Sequence, residues 1–372
     1  MDHPKKILIL YASAGHGHEK AAKAIDEACR ESPAANIQIL DTLALNLVGY
    51  LYRQTYLVQI KYTPWLWGMF YNSLNLKWIY NVARILRRFF NAMTARDLES
   101  LLLKEKPDVI IATHFLAVEV ASHLRTKGKI SSKIITVITD YLPHRIWTAS
   151  AVDFYAVALA ETKKQLVQWG VSSDKVFVTG IPVEKKFLES LSTEEARSRL
   201  GLNPTDITVL ITSGGGGIGS TKNIVEGLLA LKKSVQILAV CGTNQTLFQT
   251  LNLRAGQEPA LKVFGLVKNM QELMAASDLV IGKGGGLTIT ESFSKSKPVI
   301  LFESIPGQEA GNAACVTKYK AGFVAESQND VIQKIFELYG SPGELESMKK
   351  GVHAMFKPDA AKEIAALSLK VV

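Results

Sequence analysis

Only three cysteines occur in the 372 residues, Cys29, Cys241 and Cys315, and none has a histidine or a second cysteine at metal-ligand spacing. This excludes a disulfide framework and a ribbon-type metal site, and it suits reduced thiols in a cytosolic protein. No apolar run approaches the ~20 residues that a membrane span needs, so no transmembrane helix is expected. Low-complexity tracts are missing too. The net charge is +9, yet there is no zinc-finger spacing, no RNP-like aromatic strand and no basic tail. Nucleic acid is therefore not the expected partner, and an acidic membrane surface becomes the better match for the positive excess. The opening residues Met1 to Lys6 lead straight into the apolar Ile7-Leu8-Ile9-Leu10. They are expected to belong to the fold and not to a signal peptide.

What is present is a regular alternation of apolar strands and helical patterns, the signature of parallel α/β sheets. Strands are expected at 6–11, 37–40, 109–113, 134–139, 154–158 and 176–179 in the first half. The second half restarts with 207–212, 235–241, 261–264, 279–281, 299–302 and 323–325. Two doubly wound, Rossmann-like domains follow, over 1–185 and 186–357. A last helix over 358–372, rich in Ala, Leu and Lys, could pack back on the first domain. Each half opens with a strand and a glycine-bearing turn, which places a ligand at the carboxyl ends of the strands in a cleft.

The second half carries the sharper motifs. After the apolar 278–281 comes Gly282-Lys283-Gly284-Gly285-Gly286, and then Leu287-Thr288-Ile289 begins a helix. Bare N–H groups at a helix start, aided by the helix dipole, make an anion site. Glu291 follows one turn later, placed to accept hydrogen bonds from a ribose diol. Gly214, Gly215, Gly216 and Gly217 follow the strand at 207–212 and form a second cradle for a diphosphate; such a run is costly in chain entropy without a ligand. In the loop 306–312, Gln308 and Glu309 pair an amide with a carboxylate, which suits sugar hydroxyls, while Asn312 could touch the ligand or hold the loop's shape. Backbone around Leu266 and Val267 could read a base edge, with the side chains expected in the core. Together these features read as a nucleotide-sugar pocket.

The first half carries the candidates for chemistry. His16 and His18 lie on a glycine turn before a helix expected at 19–30, where the dipole lowers an imidazole pKa and favours the neutral base. Asp140, beyond the strand at 134–139, could pair with His144 as acid and base, or cap the turn before Pro143. His114 ends another strand at the same edge. Asp41, at the end of the second strand, is a weak match to a dinucleotide fingerprint whose third glycine is missing.

Between Tyr50 and Tyr80 the chain gathers six tyrosines with Trp65, Trp67, Phe70 and Trp78. Tyr and Trp favour the membrane interface, where the ring is apolar and the polar atom wet. Arg84, Arg87 and Arg88 then alternate with apolar residues at helical spacing, as in a basic amphipathic helix on anionic lipid. A core helix packed on the strand at 109–113 would show the same stripe.

These motifs, across nearly the whole chain, resemble inverting GT-B glycosyltransferases. That group includes the monogalactosyldiacylglycerol synthases, the processive diacylglycerol glucosyltransferases and the N-acetylglucosaminyltransferase that completes lipid II. The resemblance rests on Gly15-His16-Gly17-His18, Thr139-Asp140 with His144 and Trp147, Gly180-Ile181-Pro182-Val183, the two glycine cradles and Pro306 to Asn312. It implies two Rossmann-like domains facing across a cleft. A UDP-sugar would be held by Gly214 to Gly217, Gly285, Gly286 and Glu291, its uracil read near Leu266 and Val267, and its sugar contacted by Gln308 and Glu309. It further implies a lipid acceptor in the first domain, no metal or cofactor, and Asp140 or His18 as the base. The expected reaction moves glucose or galactose from UDP to diacylglycerol with inversion, in a peripheral protein on the cytoplasmic side of a membrane. Transfer of N-acetylglucosamine to another lipid-linked acceptor and UDP-sugar 2-epimerisation are the alternatives.

Overall fold

Strands rich in Ile, Val and Leu that are buried on both faces require helices above and below the sheet. Val109–Ala112 and Val235–Val240 are buried at every residue. The structure is a computed structural model that describes residues 4–13, 15–32, 35–45, 47–76, 78–80, 82, 96–212 and 220–370. It contains two six-stranded parallel sheets. The first is built from β1 (Lys5–Tyr11), β2 (Ala35–Asp41), β3 (Val109–Ala112), β4 (Lys133–Val137), β5 (Phe154–Val157) and β6 (Val176–Val178), in the order β2-β1-β3-β4-β5-β6. The second uses β7 (Ile207–Thr212), β8 (Val235–Val240), β9 (Leu261–Phe264), β10 (Leu279–Gly282), β11 (Val299–Leu301) and β12 (Gly322–Val324), in the order β12-β11-β10-β7-β8-β9. All twelve expected strands are present, two with the expected ends and the others shifted by one or two residues.

The chain divides into two units. One comprises Met1–Lys185, Ile305–Gly311 and Lys357–Val372, and the other Lys186–Ser304 and Asn312–Phe356. In the first unit, strand alternation sends β1 side chains to opposite faces. Ile7 and Ile9 pack with Ala22, Ile25 and Ile364, while Leu8 and Leu10 pack with Leu98, Leu102 and Val118. Ile364 belongs to the last helix, Ala360–Lys370, which lies against the first helix, α1 (His16–Arg30). Full burial of Ile364 is worth about 1.5–3 kcal/mol. Lys5 Nζ donates to the Leu369 carbonyl at 2.6 Å on the same seam. Gly180 adopts φ +92°, and a Cβ there would lie 2.7 Å from the Lys357 Cβ, so both conformation and space demand glycine. The second unit has its own core, centred on Val209, Ile211, Ile237 and Ile281.

Candidate functional site

In the first sheet β1 and β3 are neighbours, and the connections leaving them run in opposite directions across the sheet. Ligands of open α/β sheets gather at such a switch point. The residues following these strands meet there. The helix α1 starts at His16 and not at Glu19; Gly15 is its extended N-cap, with no side-chain cap. His18 therefore sits in the first helical turn. Its carbonyl accepts a 3.0 Å hydrogen bond from Thr113 Oγ1, just beyond β3. Its Nδ1 lies 3.2 Å from Thr139 Oγ1, beyond β4. The His114 ring stands edge-on at 4.9 Å, and Trp147 lies 6.1 Å away. Loss of water around the His18 ring lowers its pKa to about 4, against a small opposing effect of the Thr113 hydrogen bond. The imidazole is neutral at pH 7. His16, by contrast, is largely exposed and 4.0 Å from Glu19. Asp140 is half-buried and follows Thr139 directly.

His144 is anchored through its ring. Its Nδ1 accepts from the Ile146 N–H at 3.1 Å, and its Nε2 donates to the Tyr71 carbonyl at 2.8 Å. Both ring nitrogens thus bond to backbone, which holds the ring in its loop. The ring also stacks 4.0 Å from Tyr71. Asp41 is likewise structural: Oδ1 accepts from the N–H groups of Ser13 and Leu43 and shapes the turn.

The second sheet has its switch point between β7 and β10. In the sequence a run of glycines follows each of these strands. Gly214, Gly215, Gly216 and Gly217 lie outside the described residues, as do Arg84, Arg87 and Arg88. After β10, the helix Gly286–Ser294 starts from the N-cap Gly285 with no side-chain cap. The turn is held from both sides: Gly284 N–H donates to Ser304 Oγ at 3.0 Å, and Asn312 Nδ2 donates to the Gly284 carbonyl at 2.8 Å. Asn312 is completely buried, so it holds the loop's shape. Glu291, sixth in this helix, is only 3% exposed, where a solvated carboxylate would be the ordinary outcome. A buried carboxylate must be paired or hydrogen-bonded, and Glu291 shares this buried state with Glu309, 8% exposed. Leu266 departs from expectation. It is 77% exposed, because β9 ends at Phe264 and the following residues leave the core. Val267 is partly buried.

Gln308 and Glu309 belong to the segment Ile305–Gly311, which is counted with the first unit. One carboxylate oxygen of Glu309 accepts from Ile305 N–H at 2.7 Å and closes the loop on itself. The helix α3 (Pro64–Ser73), which follows α2 (Leu47–Tyr62), touches this loop at Gly68. That contact gave no signal in the sequence beyond a lone glycine inside an aromatic helix.

Among the described residues, eleven of the eighteen exposed large hydrophobics lie between Tyr50 and Val82. Trp65 is 62%, Met69 65% and Trp78 69% exposed, and Phe70 is half exposed. Trp67 turns partly inward and packs on Phe70 and Tyr71. Such a concentration marks an interaction surface. No helix among the described residues is long and apolar enough to cross a membrane.

Comparison with known proteins adds the following. Residues 18–183 match the family described as monogalactosyldiacylglycerol (MGDG) synthase, and residues 208–364 match the glycosyltransferase family 28 C-terminal domain. A processive diacylglycerol beta-glucosyltransferase of Bacillus pumilus is 31% identical over 375 residues, covering 98% of this chain and 94% of that protein. One from Bacillus cereus is 30% identical, with 96% and 92% covered. Among solved structures, Acinetobacter baumannii MurG superposes with a TM-score of 0.65 at 13% identity, covering 99% of this chain and all of that one. A putative UDP-N-acetylglucosamine 2-epimerase of Listeria monocytogenes gives 0.66 at 11%, covering 100% and 96%. The fold is thus shared by transferases and epimerases and does not choose between them.

Proposed function

The chain belongs to the family of the monogalactosyldiacylglycerol synthases and processive diacylglycerol beta-glucosyltransferases, and from that premise we propose that it transfers a hexose from a UDP-sugar to diacylglycerol. The sugar is glucose or galactose, and the product is a β-glycosyldiacylglycerol. The observation that carries this reading is the full-length likeness to diacylglycerol glucosyltransferases. The polar cluster at the switch point of the first sheet supports it. The acceptor hydroxyl attacks the anomeric carbon as the bond from that carbon to the phosphate oxygen breaks, and the configuration inverts. The proton passes to Asp140 or His18; the depressed pKa keeps His18 unprotonated and open to a donor hydroxyl.

UDP leaves with its charge met by bare backbone N–H groups and the dipole of the helix Gly286–Ser294, in place of a metal. Glu291 takes the ribose diol, and Gln308 and Glu309 the sugar hydroxyls. The exposed aromatics of α2 and α3 dock on anionic lipid, which makes the protein peripheral at the cytoplasmic face of a membrane.

The deciding experiment incubates the protein with radiolabelled UDP-glucose or UDP-galactose and diacylglycerol liposomes, and separates the lipids by thin-layer chromatography. A labelled glycolipid is expected, unaffected by a chelator; no lipid product from any donor overturns the reading. Full turnover by stably folded Asp140→Asn and His18→Ala variants would overturn the assignment of the base. The epimerase alternative predicts instead a soluble UDP-sugar product and no use for an exposed aromatic surface.

A further inference from the structure

The loop that carries Gln308 and Glu309 is seated on α3 through a backbone-to-backbone contact. Gly68 is buried in the middle of α3, and a Cβ added there would lie 2.8 Å from the Pro306 Cβ and 3.1 Å from its carbonyl carbon and oxygen. Seen from the loop, a Cβ on Gly307, at φ +78°, would lie 3.1 Å from the Gly68 Cα and carbonyl oxygen and 3.2 Å from Asn72 Oδ1. Each glycine is what the other's approach requires. A glycine inside a helix weakens it, so a close approach is the physical reason for one there. At the far end of the loop, a Cβ on Gly311 would lie 2.9 Å from the Leu142 Cβ. The same helix holds the loop that follows Asp140. His144 donates to the Tyr71 carbonyl at 2.8 Å, and beyond the helix end Arg145 Nε donates to the Asn75 carbonyl at 2.8 Å.

We propose that α3 is a positioning element for the transfer: Gly68 fixes where Gln308 and Glu309 meet the donor sugar, and His144, through Tyr71, fixes the loop bearing Asp140. Neither Gly68 nor His144 touches the reacting atoms. This rests on the reading of Gln308 and Glu309 as sugar contacts. It adds that the tightness of sugar binding is set by a helix remote in sequence that also carries the exposed Trp65 and Met69.

Gly68→Ala separates this from a merely structural role. Alanine is the better helix former, so α3 itself gains, and the added methyl displaces the exposed Pro306 and the loop with it. Calorimetric titration with UDP and with the UDP-hexose that the wild type transfers reads the effect. UDP, which has no sugar to place, binds within twofold of wild type. The UDP-hexose binds at least fivefold more weakly, and donor KM rises by a similar factor while kcat changes less. Gly343→Ala, where an added methyl meets nothing within 4 Å, leaves both affinities unchanged. Unchanged UDP-hexose affinity in Gly68→Ala, or an equal loss for UDP and UDP-hexose, overturns the positioning role. Failure of the wild type to form any glycolipid would overturn the proposed function instead, so the two failures are distinguishable.

Discussion

The protonation of His18 gives a measurable link between the site and the stability of the first unit. In the folded chain the ring is desolvated and its pKa is lowered to about 4, whereas an unfolded histidine keeps its ordinary value of about 6.5. Between these values the unfolded chain binds a proton that the folded chain refuses. Stability from the neutral ring is therefore complete above about pH 6.5 and is lost as the pH falls toward 4. At pH 7 the deficit is about 0.2 kcal/mol, and at pH 5 it reaches about 2 kcal/mol, from RT ln of the ratio of the two proton-binding polynomials. His18 as a whole residue is partly exposed, so the figure is an upper bound.

All five tryptophans, Trp65, Trp67, Trp78, Trp147 and Trp169, lie in the first unit, so their fluorescence in urea reports that unit. Other groups also titrate over this range, and comparison with His18→Gln removes them. The wild type should lose up to about 2 kcal/mol more than His18→Gln on going from pH 7 to pH 5. Parallel losses in the two proteins would refute the depressed pKa. A smaller loss in the wild type would mean that the ring gains its proton in the folded state.

Two further outcomes test other parts of the molecule. Glu291→Gln should weaken UDP binding about 10- to 100-fold, from the ~1.5–3 kcal/mol of hydrogen bonds to a charged group, while 2′,3′-dideoxy-UDP binds both proteins alike. An equal loss for both nucleotides in calorimetry would remove the ribose contact. Gly351→Ala, inside the helix Pro342–Met355, should destabilise the second unit by about 1–3 kcal/mol although alanine favours helix. The added methyl would collide with the Tyr319 carbonyl oxygen and lie 2.8 Å from the Ala321 nitrogen. Hydrogen exchange over residues 207–301 that stays as slow as in wild type would contradict that packing.

The sheets were legible because parallel strands advertise themselves: buried on both faces, they read as short runs of Ile, Val and Leu between turns. Helix starts were less legible. Gly15-His16-Gly17-His18 reads as a turn, but only Gly15 stays extended and Gly17 joins the first helical turn. This places His18 beside Thr139 and leaves His16 outside. The anchoring of His144 was hidden because the partner of its Nε2 is the Tyr71 carbonyl, 73 residues away. No local pattern encodes such a bond. Leu266 was misread because apolar character continues past the end of β9 while the chain turns outward.

The loop Ile305–Gly311 shows what chain order conceals. It joins β11 to the helix Ala310–Lys318, so sequence alone assigns it to the second sheet. Its neighbours Ser304 and Asn312 do bond to Gly284 in that unit, yet the loop itself is counted with the first unit through Gly68, Asn72 and Leu142. A glycine pair carries no periodicity and no charge, so the contact is silent to any pattern of hydrophobicity. What could have revealed it is a contradiction: Gly68 interrupts an otherwise aromatic helix where alanine would serve the helix better. A residue that costs its own element marks a demand from elsewhere, and here the demand comes from the loop that carries Gln308 and Glu309.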